Sequence, residues 1–314
     1  MCRLIDDIAA FLEGNGFECS RQMRHEFDVI CTRTADGRKE KIIIPLEINA
    51  VTLEEAIQNS EDAYEAIHMA SREEGGYPLI VTEDRWRRQG EMMRARILAH
   101  LELFSQAYAR NCEVRRIEKA EAQAFLNENH SYGYAACRYR YGLFLKRHTG
   151  HIAEELRFLD SARDGRELRQ DGNGQIGKLI AVATFSNARR WIKDGKEISS
   201  YEWTRYASLP DMRVSGGMGK LLKAFIKDVQ PDDIMSYADL EWSEGTVYEQ
   251  LGFKREHLGK EPVLFTVDCR TWERRAVRSL DKLGMTEGSS GMTEGLFFRN
   301  FGSRKYRLKL TDYK

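Results

Sequence analysis

Proline is scarce, at 5 in 314 residues, and no Ser, Gly or Gln tract is long enough to mark extended disorder. No apolar run approaches the roughly 20 residues that a membrane helix needs. The opening Met1-Cys-Arg-Leu-Ile-Asp-Asp places acids where a signal peptide carries basic and then apolar residues. These absences argue against membrane-spanning, secreted and collagen-like classes and lead us to expect a cytoplasmic protein. The 6 cysteines, at positions 2, 19, 31, 112, 137 and 269, make no CxxC pair and fit no zinc-finger spacing. Reduced, partly buried thiols are the expectation. Net charge is also missing: 49 Lys and Arg balance 49 Asp and Glu.

What the chain does have is a length that suits two domains. Hydrophobic residues at 42% and charged residues at 31% allow a buried core and a solvated surface. The charge is unevenly spread. Residues 1–111 hold 14 basic against 20 acidic residues, and the remainder holds 35 against 29. The basic C-terminal part suits a polyanion such as nucleic acid, although an ordinary solvated surface explains so modest an excess equally well.

The expected fold class is α/β in the α+β sense, with domains at 1–111 and 112–314. In the first, Leu4, Ile8, Phe11 and Leu12 recur at helical spacing, and Gly14 and Gly16 stop that helix. Phe27–Cys31 and Ile42–Ile48 read as strands around an Asp36-Gly37 turn. Thr52 and Glu55 form a capping-box pair for a helix over 53–71. Tyr77–Thr82 reads as a short buried strand, and a long helix over 84–110 follows. In the second, Glu118–Asn127 is a short helix, and Tyr139–Leu145, Lys178–Ser186 and Glu202–Ser208 are strands. The polar stretch 148–176 reads as a long loop or insertion. Gly216-Gly217-Met218-Gly219 opens a helix, Ile234–Ala238 is a strand, and Gly245–Leu251 is a helix leading to Gly252-Phe253. Val263–Val267 is a strand, Arg270–Leu283 a basic helix, and Phe297–Leu310 a hairpin through Gly302-Ser303. Gly-Met-Thr-Glu-Gly at 291–295 repeats 284–288.

A glycine turn that opens a helix presents free backbone N–H groups and the positive end of the helix dipole to an anion. It is also simply a way to make a tight turn. Arg213-Val-Ser-Gly216-Gly217-Met218-Gly219-Lys220 is followed by a helix, a strand, and a helix ending Tyr248-Glu-Gln-Leu-Gly252-Phe253. In this order the chain resembles the GNAT superfamily of acyltransferases, whose pyrophosphate loop is of the type Arg/Gln-x-x-Gly-x-Gly/Ala. The last family glycine falls on Met218, with Gly219 one place late, a departure from the standard coenzyme A loop. The resemblance implies acetyl-coenzyme A or another acyl-coenzyme A as donor. It would be held by Arg213, Gly216, Gly217, Gly219 and Lys220, with Tyr248 as the acid that protonates the leaving thiolate.

A longer series of residues is similar to a group of phage and prophage proteins in which a GNAT-like domain follows a nuclease-like one. It includes Asn129-His130, Tyr141-Gly-Leu, Phe185, Glu202, Arg205, Ser236-Tyr-Ala-Asp239, Trp242-Ser, Tyr248-Glu, and the segment Met292 to Tyr306. The Ser-Tyr-Ala-Asp and Gly-Thr-Val-Tyr pieces are also similar to Mom-type DNA-modification proteins, which implies DNA as partner and a nucleobase as acceptor. On that reading Asp239 is a candidate general base toward an exocyclic amine, with Glu202 beside it as a further catalytic candidate. Strand alternation places Glu202 and Arg205 on opposite faces. Asn129, His130, Arg205, Tyr237 and Trp242 are candidate substrate contacts, and Trp203 and Trp242 are candidate stacking platforms for a base. Structural alternatives stand beside each of these: a salt bridge for Glu202 and Arg205, core packing for Tyr248 and the tryptophans, and a capping or surface role for His130.

The first domain resembles the restriction-endonuclease-like fold, through Asp28 and the run Glu47-Ile-Asn49. Such nucleases hold a divalent metal with an Asp and a Glu-x-Lys on adjacent strands. Here Asn49 replaces the lysine, leaving Asp28 and Glu47 as metal candidates and a worn nuclease as the expectation. A divalent metal is expected only if this domain is active. The expected function is thus a GNAT-like acyltransferase modifying a nucleobase in DNA. The alternatives are a mobile-element endonuclease using Asp28 and Glu47, and a non-enzymatic DNA-binding protein.

Overall fold

In the computed structural model, residues 3–74, 76–146, 177–193, 195–277 and 295–313 are described. The chain opens with α1 (Leu4–Gly14), β1 (Cys19–Arg24), β2 (Phe27–Arg33), β3 (Glu40–Leu46), α2 (Leu53–Glu74), β4 (Leu79–Thr82), α3 (Glu83–Arg88) and α4 (Gly90–His100). It continues with β5 (Ser105–Tyr108), β6 (Cys112–Arg116), α5 (Lys119–Asn129), β7 (Tyr139–Leu145), β8 (Lys178–Phe185), β9 (Arg189–Lys193), β10 (Lys196–Ser208) and β11 (Met212–Ser215). Then come α6 (Gly217–Val229), β12 (Asp233–Asp239), α7 (Thr246–Gln250), β13 (Lys254–Arg255), β14 (Leu264–Asp268), β15 (Arg274–Ala276), β16 (Gly295–Arg299) and β17 (Ser303–Lys309). Among the described residues no helix is long and apolar enough to cross a membrane, and no disulfide forms.

This is a mixed α/β architecture in two compact units. One comprises Met1–Leu103, Tyr237–Thr246 and Glu256–Lys305; the other comprises Phe104–Ser236, Val247–Arg255 and Tyr306–Lys314. The division therefore differs from a single cut near 111. The physical reason is apolar anchoring: Leu240 and Phe301, far along the chain, are buried in the same cluster as Val29, Ile42, Ile44 and Ile67. The Leu240 carbonyl accepts the Tyr77 hydroxyl at 2.6 Å, and the Leu240 N–H donates to the Gly302 carbonyl at 3.2 Å.

In the first unit β1, β2 and β3 form an antiparallel meander, and β4 joins β3 in parallel after the α2 crossover. Period-two alternation sends Ile30, Ile43, Leu79 and Val81 to the face packed by α1 and α4. Val29, Cys31, Ile42, Ile44 and Ile80 go to the opposite face, with Ala63 and Ile67 of α2. The expected capping box is formed, with Glu55 N–H donating to Thr52 Oγ1 at 3.2 Å and Thr52 N–H to a Glu55 carboxylate oxygen at 3.3 Å. Expected as one helix, 84–110 is instead broken at Gln89, whose φ of −118° and ψ of 36° leave helical geometry, and the chain is in β5 by Ser105. Of the expected basic helix at 270–283, the described part is a turn at Trp272, with φ 57°, followed by β15. β15, β14 and β16 make a separate antiparallel sheet, so β16 and β17 are not paired as a hairpin. The 148–176 stretch and nearly all of the repeat at 284–295 lie outside the described residues.

The second unit is built on the strand path β13-β17-β12-β10-β8-β7-β6, with β9 added beside β10. Its core is aromatic. Phe225 of α6 stacks on Phe185 at 3.8 Å between centroids, and Tyr139, Tyr141 and Tyr201 meet Phe225 edge-on at 5.4–6.2 Å. The other face carries α5, whose Ala122, Phe125 and Leu126 pack on Phe144, Val182 and Ala207. A two-stranded parallel ladder joins β5 to β11.

Candidate functional site

In the second unit β10 and β12 run parallel, but their ladder covers only Ser200–Asp233, Tyr201–Ile234 and Glu202–Met235. β10 continues to Ser208, so the pairing stops while the strand goes on. The register of β10 against β8 also shifts between Trp203 and Arg205, the mark of a β-bulge with Thr204 as the extra residue. Unpaired main chain thus collects where two parallel strands part, the place where ligands sit in open α/β sheets. Ser236 spans this point, with its Oγ 3.1 Å from the Trp203 carbonyl and 2.9 Å from the Tyr248 hydroxyl. Tyr248 is further set by Trp203, Phe253 and Tyr306 rings at 5.3–6.2 Å. Burial pushes the Tyr248 pKa up, and the Ser236 hydrogen bond only partly offsets this. The phenol is therefore protonated at neutral pH and available as an acid.

The bulge also corrects the alternation expected for Glu202 and Arg205. Trp203 pairs with Phe185 and Arg205 with Thr184, so Thr204 is absorbed and Glu202 and Arg205 fall on the same face. Arg205 donates to the Gly133 carbonyl at 3.1 Å and the Thr204 carbonyl at 2.8 Å and lies over the Tyr132 ring. Burial lowers its pKa, and the Glu202 charge acts in the opposite direction. His130 accepts the Tyr132 N–H on Nδ1 at 3.1 Å, and Asn129 donates to the Phe125 carbonyl at 2.9 Å. Both finish α5 and hold the 130–133 turn beside Arg205.

The glycines of the α6 start have local reasons. Gly216 caps the helix in the left-handed region with φ 75°. A Cβ on Gly217 would stand 2.9 Å from Val214 Cγ1, and one on Gly219 would stand 3.2 Å from Leu251 Cδ2. Arg213 is exposed and stacks over Phe104 at 5.5 Å. Lys220, expected on a donor phosphate, instead donates its ammonium to the Ala109 and Cys112 carbonyls at 2.8 and 2.6 Å. It ties the 109–112 turn to α6.

Asp239, Tyr237 and Trp242 belong to the first unit. Asp239 accepts the Glu241 N–H at 3.0 Å and pairs with Arg85 at 3.8 Å. Trp242 lies under the Arg85 and Arg96 guanidiniums, at 5.3 and 4.0 Å, and packs against the α1 cluster. Tyr237 has Lys260 Nζ 4.0 Å over its ring. These three are thus engaged within that unit.

The structure does bring Asp28 and Glu47 together. Arg3 Nη2 donates to Asp28 Oδ2 at 2.7 Å, Arg3 Nε lies 3.6 Å from Glu47 Oε1, and Glu47 also accepts the Leu4 N–H at 3.2 Å. They line a cavity of about 330 Å³ with Asn49, Asn59, Phe297 and Arg299. Asn49 Oδ1 accepts from Asn59 Nδ2 at 3.3 Å. No group of three His, Cys, Asp or Glu side chains able to hold a metal forms among the described residues. With a guanidinium already between the two carboxylates, this donor set does not fit a divalent cation. Sequence reasoning missed Arg3, which belongs to no motif, and gave no role to Ser236, although it opens the Ser236-Tyr-Ala-Asp239 piece; only the fold brings the two to their partners.

No protein-family model matches the chain, and no curated protein matches it.

Proposed function

We propose that the chain is a GNAT-like acyltransferase with a nucleobase in DNA as acceptor. The observation that carries this reading is the second unit's strand path, with its parallel β10–β12 pair ending at Glu202–Met235 beside a bulge. A glycine-started helix followed by a strand and the Tyr248 helix is the order on which the GNAT resemblance rests.

Within the unit, Arg213 and the backbone N–H groups at the α6 start are the residues available to hold the donor's phosphates. Lys220 keeps that start in place through the 109–112 carbonyls. A bound acyl-coenzyme A would supply the activated acyl group. Glu202, half-exposed beside the parting strands, is our candidate to accept a proton from the attacking amine. Tyr248, held protonated by burial, is our candidate to return a proton to the departing group. Asp239 is engaged with Arg85 and the Glu241 N–H, which favours Glu202 as base.

A mobile-element endonuclease is the second reading, favoured by the juxtaposition of Asp28 and Glu47 on a cavity; the Arg3 bridge weighs against it. A DNA-binding module without catalysis is the third. Titration with acetyl-coenzyme A, coupled to mass spectrometry of nucleosides from DNA of cells expressing the protein, separates them. Donor binding with a new modified base is the expected result. No binding at millimolar donor and an unchanged nucleoside profile would refute acyl transfer.

A further inference from the structure

Beside the parting strands, β9 and the first half of β10 form an antiparallel ribbon. Its register pairs Arg189 with Ser200, Trp191 with Ile198, and Lys193 with Lys196. Directly opposed residues share a face, so Arg189, Trp191, Lys193, Lys196, Ile198 and Ser200 lie on one side, with Ile198 and Ser200 buried and the charged residues at its rim. Arg190, Ile192, Glu197 and Ser199 lie on the other. Two lysines face each other across the ladder, a like-charge pair that disfavours a sheet. Arg189, Lys193 and Lys196 are all exposed. Among the described residues, Asp232 pairs with Lys196 Nζ at 4.0 Å, and the Glu197 carboxylate is engaged on the opposite face with Arg190. Trp191 sits between the cations, anchored edge-on against Tyr313 at 5.5 Å with Lys193 Nζ 6.0 Å from its ring. A lysine pair, an aromatic and an arginine in line, spanning about 13 Å at strand rise, suit a phosphate backbone more than a compact anion.

We infer that the Arg189–Trp191–Lys193–Lys196 face of this ribbon docks the phosphate backbone of duplex DNA. Arg189 at the ribbon's base pairs with Ser200, two residues before Glu202, so DNA held here lies beside the proposed acyl-transfer site. The inference rests on the DNA acceptor of that reading and supplies its docking surface.

The test is binding of the full chain to a fluorescent 30-base-pair duplex, by anisotropy from 50 to 200 mM salt. A phosphate contact contributes about 0.9 to the slope of log affinity against log salt. Lys193→Gln/Lys196→Gln should reduce the slope by about 1.8, while changing thermal stability little, since the lost like-charge pair offsets the lost half-exposed Lys196–Asp232 pair. The charge-matched control Lys254→Gln/Arg255→Gln, on exposed residues of β13, should leave the slope unchanged. Equal slopes in both variants, or competition by poly-glutamate as strong as by duplex, would overturn the inference. Acetyl-coenzyme A binding in the same samples tests the acyl-transfer reading separately, since ribbon and donor site share no residue.

Discussion

Glu241→Gln is the sharpest perturbation of the first unit. The Glu241 carboxylate is 1% exposed and takes Arg85 Nε at 3.0 Å and Arg274 Nη1 at 2.8 Å. Burial alone would raise its pKa; the Arg274 and Arg85 guanidiniums outweigh that and hold it well below the ordinary 4.5. Removing one partner of a buried pair costs about 3–5 kcal/mol, because the remaining charges stay buried without their counterion. Here the guanidiniums keep other carboxylates, Asp239 for Arg85 and Asp84 for Arg274, so the lower end applies. About 3 kcal/mol corresponds to a fall of about 6–12 °C in the melting of a unit of this size. Calorimetry of wild type and variant reads it directly. Glu61→Gln is the contrast: it breaks a half-exposed pair with Arg299 and should cost under about 1 kcal/mol. The pH dependence has a definite sign. A folded-state pKa below the unfolded value gives stability that is present above about pH 4.5 and lost as pH falls toward the folded value. Glu241→Gln should flatten that acid limb. A loss under 1 kcal/mol at neutral pH, or an unchanged acid limb, would refute the idea that this carboxylate anchors residues 237–246.

Tyr248→Phe should lower acyl-transfer turnover about 10²–10⁴-fold with little change in donor binding, as expected for a lost proton donor, measured by steady-state kinetics. Gly217→Ala should destabilise the second unit by about 1–3 kcal/mol in thermal melts, because Val214 cannot rotate away from the new methyl. Wild type should bind Mn2+ more weakly than millimolar in titration calorimetry, and Arg3→Ala should tighten binding by freeing Asp28 and Glu47; no change would show that Arg3 does not occupy the cation position.

Local order was the legible part of this sequence. α1, α2 with its Thr52–Glu55 box, β7, β8 and β12 carry periodicity or caps that local physics imposes, and they lie close to where the sequence places them. The misses have separate causes. β1 is largely exposed and polar, so it shows no alternation to read. The 84–110 segment is helix-rich in composition, yet Gln89 breaks it and Glu102 adopts φ 66°, choices set by packing of Met93, Ile97 and Leu101 rather than by propensity. The β9–β10 ribbon had a usable signal in Asp194-Gly195 between β-prone residues, a favoured hairpin dipeptide.

The candidate site was legible residue by residue but not as a set. Motif spacing picks out Glu202, Gly216, Gly217, Tyr248 and Asp239 alike. Spacing cannot say that the chain leaves one unit after Ser236 and returns at Val247. In that interval Leu240, Glu241 and Trp242 are held by Ile80, Arg85, Arg96 and Arg274. Those partners lie more than a hundred residues upstream or some thirty downstream, so no local window contains them. The consequence for chemistry is specific. Asp239, at the end of the most conspicuous strand, is committed to a guanidinium and a turn N–H, whereas Glu202 keeps its place beside a bulge that no periodicity announces. If acyl transfer is the activity, Glu202→Gln should therefore cost about 10²–10⁴-fold in turnover with the melting temperature unchanged. Asp239→Asn should act chiefly through the stability of the first unit. Kinetics and melting curves of the two variants, read together, decide between them: a turnover loss confined to Asp239→Asn would return the base to the residue the motif first suggested.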